Sequence, residues 1–434
     1  MKTKLVLKKK YKIYLTVIIT QIIIILLLIF YFKVIHTKNY IDDISINDNK
    51  ITIKLKSKKN YECLLSDKEA NINDKWIKSN DGVCILDYST NSDLYLKFKN
   101  KIINATSKFL YIDFNNNETI YLAKNDEYNY YKYIIGNKNK IKKIEFDKNI
   151  ISISDDGIIK ALNKGETKLN IKYSDSNITS NIIVTDLITK RPINEFDFNK
   201  DKLSCEKFSK EENDLLDKIL ENRISNVGYK TRAGVVEAAR FLTLDFPYRI
   251  NYFYENGRQT TNNIDGEGRY YHKGLYLDKS RFENITGSIS KPQIWGCSLY
   301  SNPVKKNEFN GLDCSGFVSW ALLNGGFDVK DVGAGWSDKL DLTDYGEVIK
   351  IDDELIKSNK IKVGDLLHSE QAGGHIGIIV GLDDKYYYVA QALWYKEIGV
   401  QITNIEKDKL SKSFVHAVLM DKYYKDDGNL TNMW

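Results

Sequence analysis

Apolar residues recur at three different spacings along the chain, and each spacing predicts a different element. Residues 13–32, "IYLTVIITQIIIILLLIFYF", carry no charge. At about 1.5 Å per residue this run matches the roughly 30 Å hydrocarbon core of a bilayer. Strict alternation follows. "KITIKLKS", from Lys50, and "DLYLKFKN", from Asp93, place apolar side chains on one face and polar ones on the other, as half-buried strands do. Asn, Asp and Ser separate such strands, which predicts a β-sandwich. Past Pro192 the spacing becomes helical. "SKEENDLLDKILENRI", from Ser209, opens on a serine cap with acids in its first turn, and "TRAGVVEAARFLTLDFPYRI", from Thr231, reads as a second helix stopped near Pro247. A long irregular stretch rich in Tyr and Gly, residues 248–309, leads to a third helical run, "CSGFVSWALLN", with Phe317, Val318, Ala321 and Leu322 on one face and Gly325-Gly326 at its end. Two apolar strands close the pattern: "HIGIIVGLDD", from His375, ends in a turn, and "YYYVAQAL", from Tyr386, returns as the second arm of a hairpin.

Composition and charge sharpen this outline. The 434 residues are 42% apolar and 28% charged, which suits a globular chain of about two to four domains. The formal net charge of +6 is matched by Lys2, Lys4, Lys8, Lys9, Lys10 and Lys12, so the remainder is close to neutral. A nucleic-acid surface, which needs clustered Lys and Arg on the folded part, is not expected. The same lysines orient the span at 13–32: the N-terminal side stays cytoplasmic and everything after Lys33 lies outside. A cleaved signal peptide needs a shorter apolar core and small residues at its cleavage site, and the first alanine is Ala70, so the span reads as an uncleaved anchor. Five cysteines in an exported chain allow Cys63 with Cys84, Cys205 with Cys297, and Cys314 left over.

Within the second β-rich stretch, "ISISDDGIIKALNKGETKLNIKY", residues 151–173, sets turns at Asp156-Gly157 and Lys164-Gly165. It resembles the bacterial immunoglobulin-like modules of surface proteins, whose pattern is a serine-rich strand, "DG", a small-residue strand and "KG" before a last strand. That resemblance implies spacing or adhesion rather than chemistry.

Candidate chemistry gathers on "NGLDCSGFVSWALLNGG", residues 310–326. Cys314 stands at a helix start, where peptide dipoles and unpaired amides favour a thiolate and are able to hold an oxyanion. A small buried hydrophobe is the other reading of such a cysteine. A nucleophilic thiol needs an imidazole with an orienting partner. Of His36, His272, His368, His375 and His416, His375 opens the apolar strand, and Gln391 on the return strand is polar between Ala390 and Ala392. The hairpin predicts that Gln391 lies across from His375 and fixes its tautomer.

"GLDCSGFVSWAL", "KVGDLL", "GGHIGIIVG" and "VAQAL", in that order, resemble the NlpC-type cell-wall cysteine peptidases, which are papain-like α+β enzymes. The resemblance covers about residues 205–425. It implies Cys314 as nucleophile, His375 as base and Gln391 as third member, where the family more often has His or Asn. Asp313 and Ser315 match positions that line the substrate groove. The family's upstream "YxWGG" has its nearest counterpart in "QIWGCS", where Trp295 and Gly296 match while Gln293 and Cys297 depart; Tyr248 or Tyr252 is the stand-in for the missing tyrosine. The implied reaction is hydrolysis of an amide in peptidoglycan stem peptides, with no cofactor and no metal; neither CxxC nor HExxH occurs. The expected multidomain organisation is a cytoplasmic basic segment (1–12), a transmembrane anchor (13–32), two all-β, Ig-like sandwich modules (41–113 and 115–187), a linker (188–204) and the peptidase domain (205–425), with peptidoglycan as partner and the C-terminal part extracellular. Two further readings stay open: an amidase or acyltransferase of the same fold, and an inactive wall-binding adhesion protein.

Overall fold

The computed structural model describes residues 40–47, 50–87, 92–106, 111–112, 119–173, 176–190, 192–195, 197, 202–203, 210–252, 273–275, 293–295, 309–327, 342–369, 374–393 and 399–433, together with Gln21. The expected anchor, 13–32, lies outside these apart from Gln21, and among the described residues no helix is long and apolar enough to cross a membrane. The chain divides into two compact units. The first is Met1–Asn117 with Tyr131–Ile144 and Ile171–Ile178; the second is Glu118–Tyr130, Glu145–Asn170 and Thr179–Trp434. Parts of the stretch expected as one immunoglobulin-like module, 115–187, fall in both.

Alternation builds the first unit. In Lys50–Leu55 the residues Ile51, Ile53 and Leu55 are buried while Lys50 and Lys54 face water. This strand pairs antiparallel with Ile41–Asn47 on one side and Val83–Asp87 on the other. A second antiparallel sheet orders Ile77–Lys78, Glu62–Ser66, Asp93–Phe98 and Lys101–Asn104. Ile51, Ile53 and Leu86 from one sheet share a core with Cys63, Leu94 and Leu96 from the other. Cys63 and Cys84 are bonded across that core, with Cα atoms 6.3 Å apart. The cross-link closes a 21-residue separation, worth about 3 kcal/mol on a chain-entropy account. Cys205 and Cys297 lie outside the described residues, and Cys314 is a free, buried thiol.

In the second unit, Ile151–Ile153 and Ile158–Ala161 form the hairpin expected around Asp156-Gly157, closed by the Gly157 amide donating to the Ser154 carbonyl at 3.0 Å. From Asn181 on, the strand Ser176–Thr189 runs parallel to Thr119–Lys124, with Ile182 opposite Ile120 and Val184 opposite Leu122.

Helices and a larger sheet complete the second unit. Helix α1 is Lys210–Val227 and α2 is Arg232–Arg240, continued by a π-helical turn, Phe241–Asp245. Helix α3 is Cys314–Asn324, with Gly325 as its C-cap. The sheet comprises β1 (Glu347–Lys350), β2 (Leu366–Ser369), β3 (His375–Leu382), β4 (Tyr386–Leu393), β5 (Gly399–Glu406) and β6 (His416–Leu419), in the order β1-β6-β2-β3-β4-β5, all antiparallel. One face packs Ile376, Ile378 and Ala390 into the cluster that holds Phe317, Val318 and Ala321 of α3. The other packs Leu367, Ile379 and Val389 against Leu410 and Phe414. Burial on both faces is why β3 reads as a continuous apolar run rather than an alternating one.

A buried cation locks α2 to this sheet. Arg232, fully buried, donates to Asp365 at 2.7 Å, to the Val363 carbonyl at 3.1 Å and to Asp427 at 2.9 Å, and lies over the Tyr424 ring. Asp365 also accepts the backbone amides of Lys362 and Met420. The glycine before it has φ +91°, and a Cβ there would meet the Arg232 stem at 2.6 Å. The "GD" of "KVGDLL" therefore serves the fold: glycine admits the arginine and aspartate answers its charge.

Candidate active site

Helix α3 begins where the chain leaves the short strand Phe309–Leu312. Asp313, extended at φ −80° and ψ −178°, is the N-cap; its Oδ1 accepts the Gly316 amide at 2.7 Å and the Ser315 hydroxyl at 3.0 Å. Both Asp313 and Ser315 are buried and hydrogen-bonded to one another. Trp295 lies on Gln293–Trp295, which pairs in parallel with the strand leading into Cys314, opposite Asn310. Gly296 lies outside the described residues. Of the two tyrosines offered as stand-ins, Tyr248 donates to Glu212 at 3.4 Å, while Tyr252 pairs with Leu312, next to the cap.

The helix start does not make Cys314 anionic. Its thiol is pushed up to about 12, first by burial and then by the Asp313 carboxylate; backbone hydrogen bonds from Ile376, Ser315 and Cys314 itself only partly offset this. The expectation of a thiolate rested on helix amides and the helix dipole, and desolvation outweighs them. The bond from Ile376 also joins two elements. Ile376 directly follows His375, so the start of α3 meets the start of β3 at the sulfur.

His375 is half-buried, and its Nε2 lies 2.6 Å from Gln391 Oε1. An amide oxygen only accepts, so Nε2 carries the hydrogen and Nδ1 keeps its lone pair. Phe414 stacks on the imidazole, with centroids 5.8 Å apart and planes at 23°. Burial lowers the imidazole pKa from its ordinary value and His368 adds to this, against the opposing effect of Gln391, so the ring is neutral at neutral pH. The resting pair is therefore a thiol and a neutral base.

Gln391 reaches His375 along a diagonal rather than from directly across. The pairing of Ile378 with Ala390 sets Gln391 level with Gly377. A Cβ at Gly377 would meet Val389 Cγ1 at 2.8 Å and Gln391 Cβ at 3.4 Å, so the missing side chain leaves the imidazole and amide their path. The other end of the Gln391 side chain donates from Nε2 to Thr403 Oγ1 at 2.9 Å. Thr403, on β5, is a residue that sequence reasoning missed. Its only signal is register, since it faces Val389 two positions along from Gln391.

Two more of the candidate histidines stand nearby. His368 and His416 face one another across β2 and β6, with rings stacked 6.2 Å apart, and His368 is opposite Ile376 on β3. His36 and His272 lie outside the described residues. Among the described residues no group of three or more His, Cys, Asp or Glu side chains is arranged to hold a metal ion. No protein family, curated protein or solved structure matches this chain.

Proposed function

We propose that the chain is a membrane-anchored cysteine endopeptidase of the NlpC type, with a papain-like catalytic domain, that hydrolyses an amide in peptidoglycan stem peptides outside the cell. The observation that carries this reading is the coupling of three residues: His375 Nε2 on Gln391 Oε1 at 2.6 Å, and the amide next to His375 on the Cys314 sulfur. A packing cysteine needs none of these.

The chemistry follows from the protonation states. As Sγ of Cys314 attacks the carbonyl carbon, its proton passes to Nδ1 of His375, and the developing imidazolium is stabilised through Nε2–H by the Gln391 carbonyl. The Gly316 amide at the start of α3 is taken by Asp313, so the amides of Cys314 and Ser315, which hydrogen-bond the sulfur at rest, turn to the tetrahedral oxyanion as it forms. Nδ1–H then protonates the leaving amine as the C–N bond breaks. Water, deprotonated by the same nitrogen, hydrolyses the thioester and restores the thiol.

The test is digestion of purified peptidoglycan by the detergent-solubilised full chain, with the fragments identified by mass spectrometry. Stem-peptide fragments from the parent, and their loss in Cys314→Ala and His375→Gln with melting unchanged, are expected. The same fragments from Cys314→Ala would refute the mechanism.

A further inference from the structure

We infer that Thr403 is a positioning residue for the base: its hydroxyl accepts the Gln391 amide hydrogen and thereby keeps the amide oxygen turned to His375 Nε2. This rests on the hydrolase reading above for its consequence in catalysis, though not for its effect on the ring. The two ends of a glutamine amide are nearly the same shape and opposite in hydrogen bonding. With oxygen toward the imidazole, Nε2 is the N–H and Nδ1 is the base. With nitrogen toward it, Nε2 must accept, Nδ1 carries the hydrogen, and the ring is unable to take a proton from the thiol through that atom.

The geometry at the imidazole end favours the first arrangement, and the threonine end accommodates it. The 2.6 Å contact suits an N–H donor on a carbonyl oxygen and is short for two nitrogens, while 2.9 Å is ordinary for an amide N–H on a hydroxyl. Gln391 is buried, so bulk water does not replace a lost partner. The strand register supplies the alignment. Val389 is opposite Thr403, and Val389 and Gln391 point to the same face of β4, so Thr403 lies diagonally across from the amide on the next strand. A relay of three side chains on three adjacent strands, β3, β4 and β5, thus connects the Thr403 hydroxyl to the imidazole through one amide.

The test compares Thr403→Val, which keeps the shape and removes the hydroxyl, with Thr403→Ser, which keeps the hydroxyl. The full chain carries 15N in its five histidines, and His375→Gln assigns the resonance. The parent and Thr403→Ser should show His375 protonated at Nε2. Thr403→Val should show the Nδ1–H form and a kcat/KM on peptidoglycan about tenfold lower, with KM little changed. Thr403→Ala serves the same purpose if Thr403→Val melts early. An unchanged tautomer in Thr403→Val, or equal impairment of Thr403→Ser, overturns the inference. A parent chain that leaves peptidoglycan intact would end the hydrolase reading alone, because the tautomer comparison still decides the role of Thr403.

Discussion

Replacing Asp365 by alanine tests the clamp that seats α2 against the six-stranded sheet. Arg232 and Asp365 are both essentially out of contact with water. Removing one member of such a pair strands the other, at about 3–5 kcal/mol. Two more carboxylates reach the guanidinium, but Asp421 and Asp427 are each more than half exposed and contribute at most about 1 kcal/mol apiece. They hold the loss near the lower end. The amides of Lys362 and Met420 also lose their acceptor, which pushes it back up. For a unit of this size about 3–5 kcal/mol corresponds to a fall of about 6–20 °C in Tm. Calorimetry of the full chain reads this directly. The disulfide lies wholly in the first unit, so the transition that moves on adding reductant belongs there and the other is the one to follow. Asp365→Ala should shift the second transition alone, and Arg232→Met with Asp365→Leu should recover much of the loss. A shift smaller than that of Asp421→Ala, or a double variant worse than Asp365→Ala, would refute the account of a stranded charge.

Gly377→Ala brings a Cβ to 2.8 Å from Val389, so we expect about 1–3 kcal/mol of destabilisation and a fall in kcat/KM of about a hundredfold as the imidazole–amide contact is displaced; equal activity in stem-peptide digests would contradict this. The pH profile of kcat/KM should rise through one ionisation below 6.5, where His375 loses its proton, and stay level through about pH 9 because the thiol does not ionise in that range; a falling limb near 8.5 would show that the ground state is an ion pair instead. Asp217 of α1, which accepts the Leu275 amide, is raised from 3.8 to about 7 by burial, with Glu221 and Asp214 adding to it. A carboxyl raised in the folded state contributes fully below pH 3.8, and that contribution is lost as pH rises through about 7. Asp217→Asn should therefore gain on the parent above neutrality in melts taken across this range, and parallel curves would exclude it.

What was legible from the sequence was local. The cap of α3 and its glycine stop are signalled within a few residues of Cys314, and the structure has the helix between them. The hairpin carrying His375 and Gln391 is likewise set by one short turn. The helix expected from Ser209 is found as Lys210–Val227, and the one expected from Thr231 stops at Arg240 before a π-helical turn. Features made by distant segments were not legible. The diagonal between His375 and Gln391 depends on a strand register with an irregularity between Ile379 and Gly381. The role of Thr403 needs a third strand. The parallel pairing of residues 181–185 with 119–123 joins stretches far apart in the chain. The raised thiol was misjudged because dipoles are visible from a helix start, whereas desolvation comes from what covers it. Nothing beside Arg232 in the sequence signals the three aspartates around it, which come from positions 365, 421 and 427.

The un-ionised state of Cys314 also governs how the sulfur meets oxidants. Peroxide and small disulfides attack thiolates, and their access depends on exposure. A sulfur held protonated and buried is spared sulfenic acid formation and mixed disulfides.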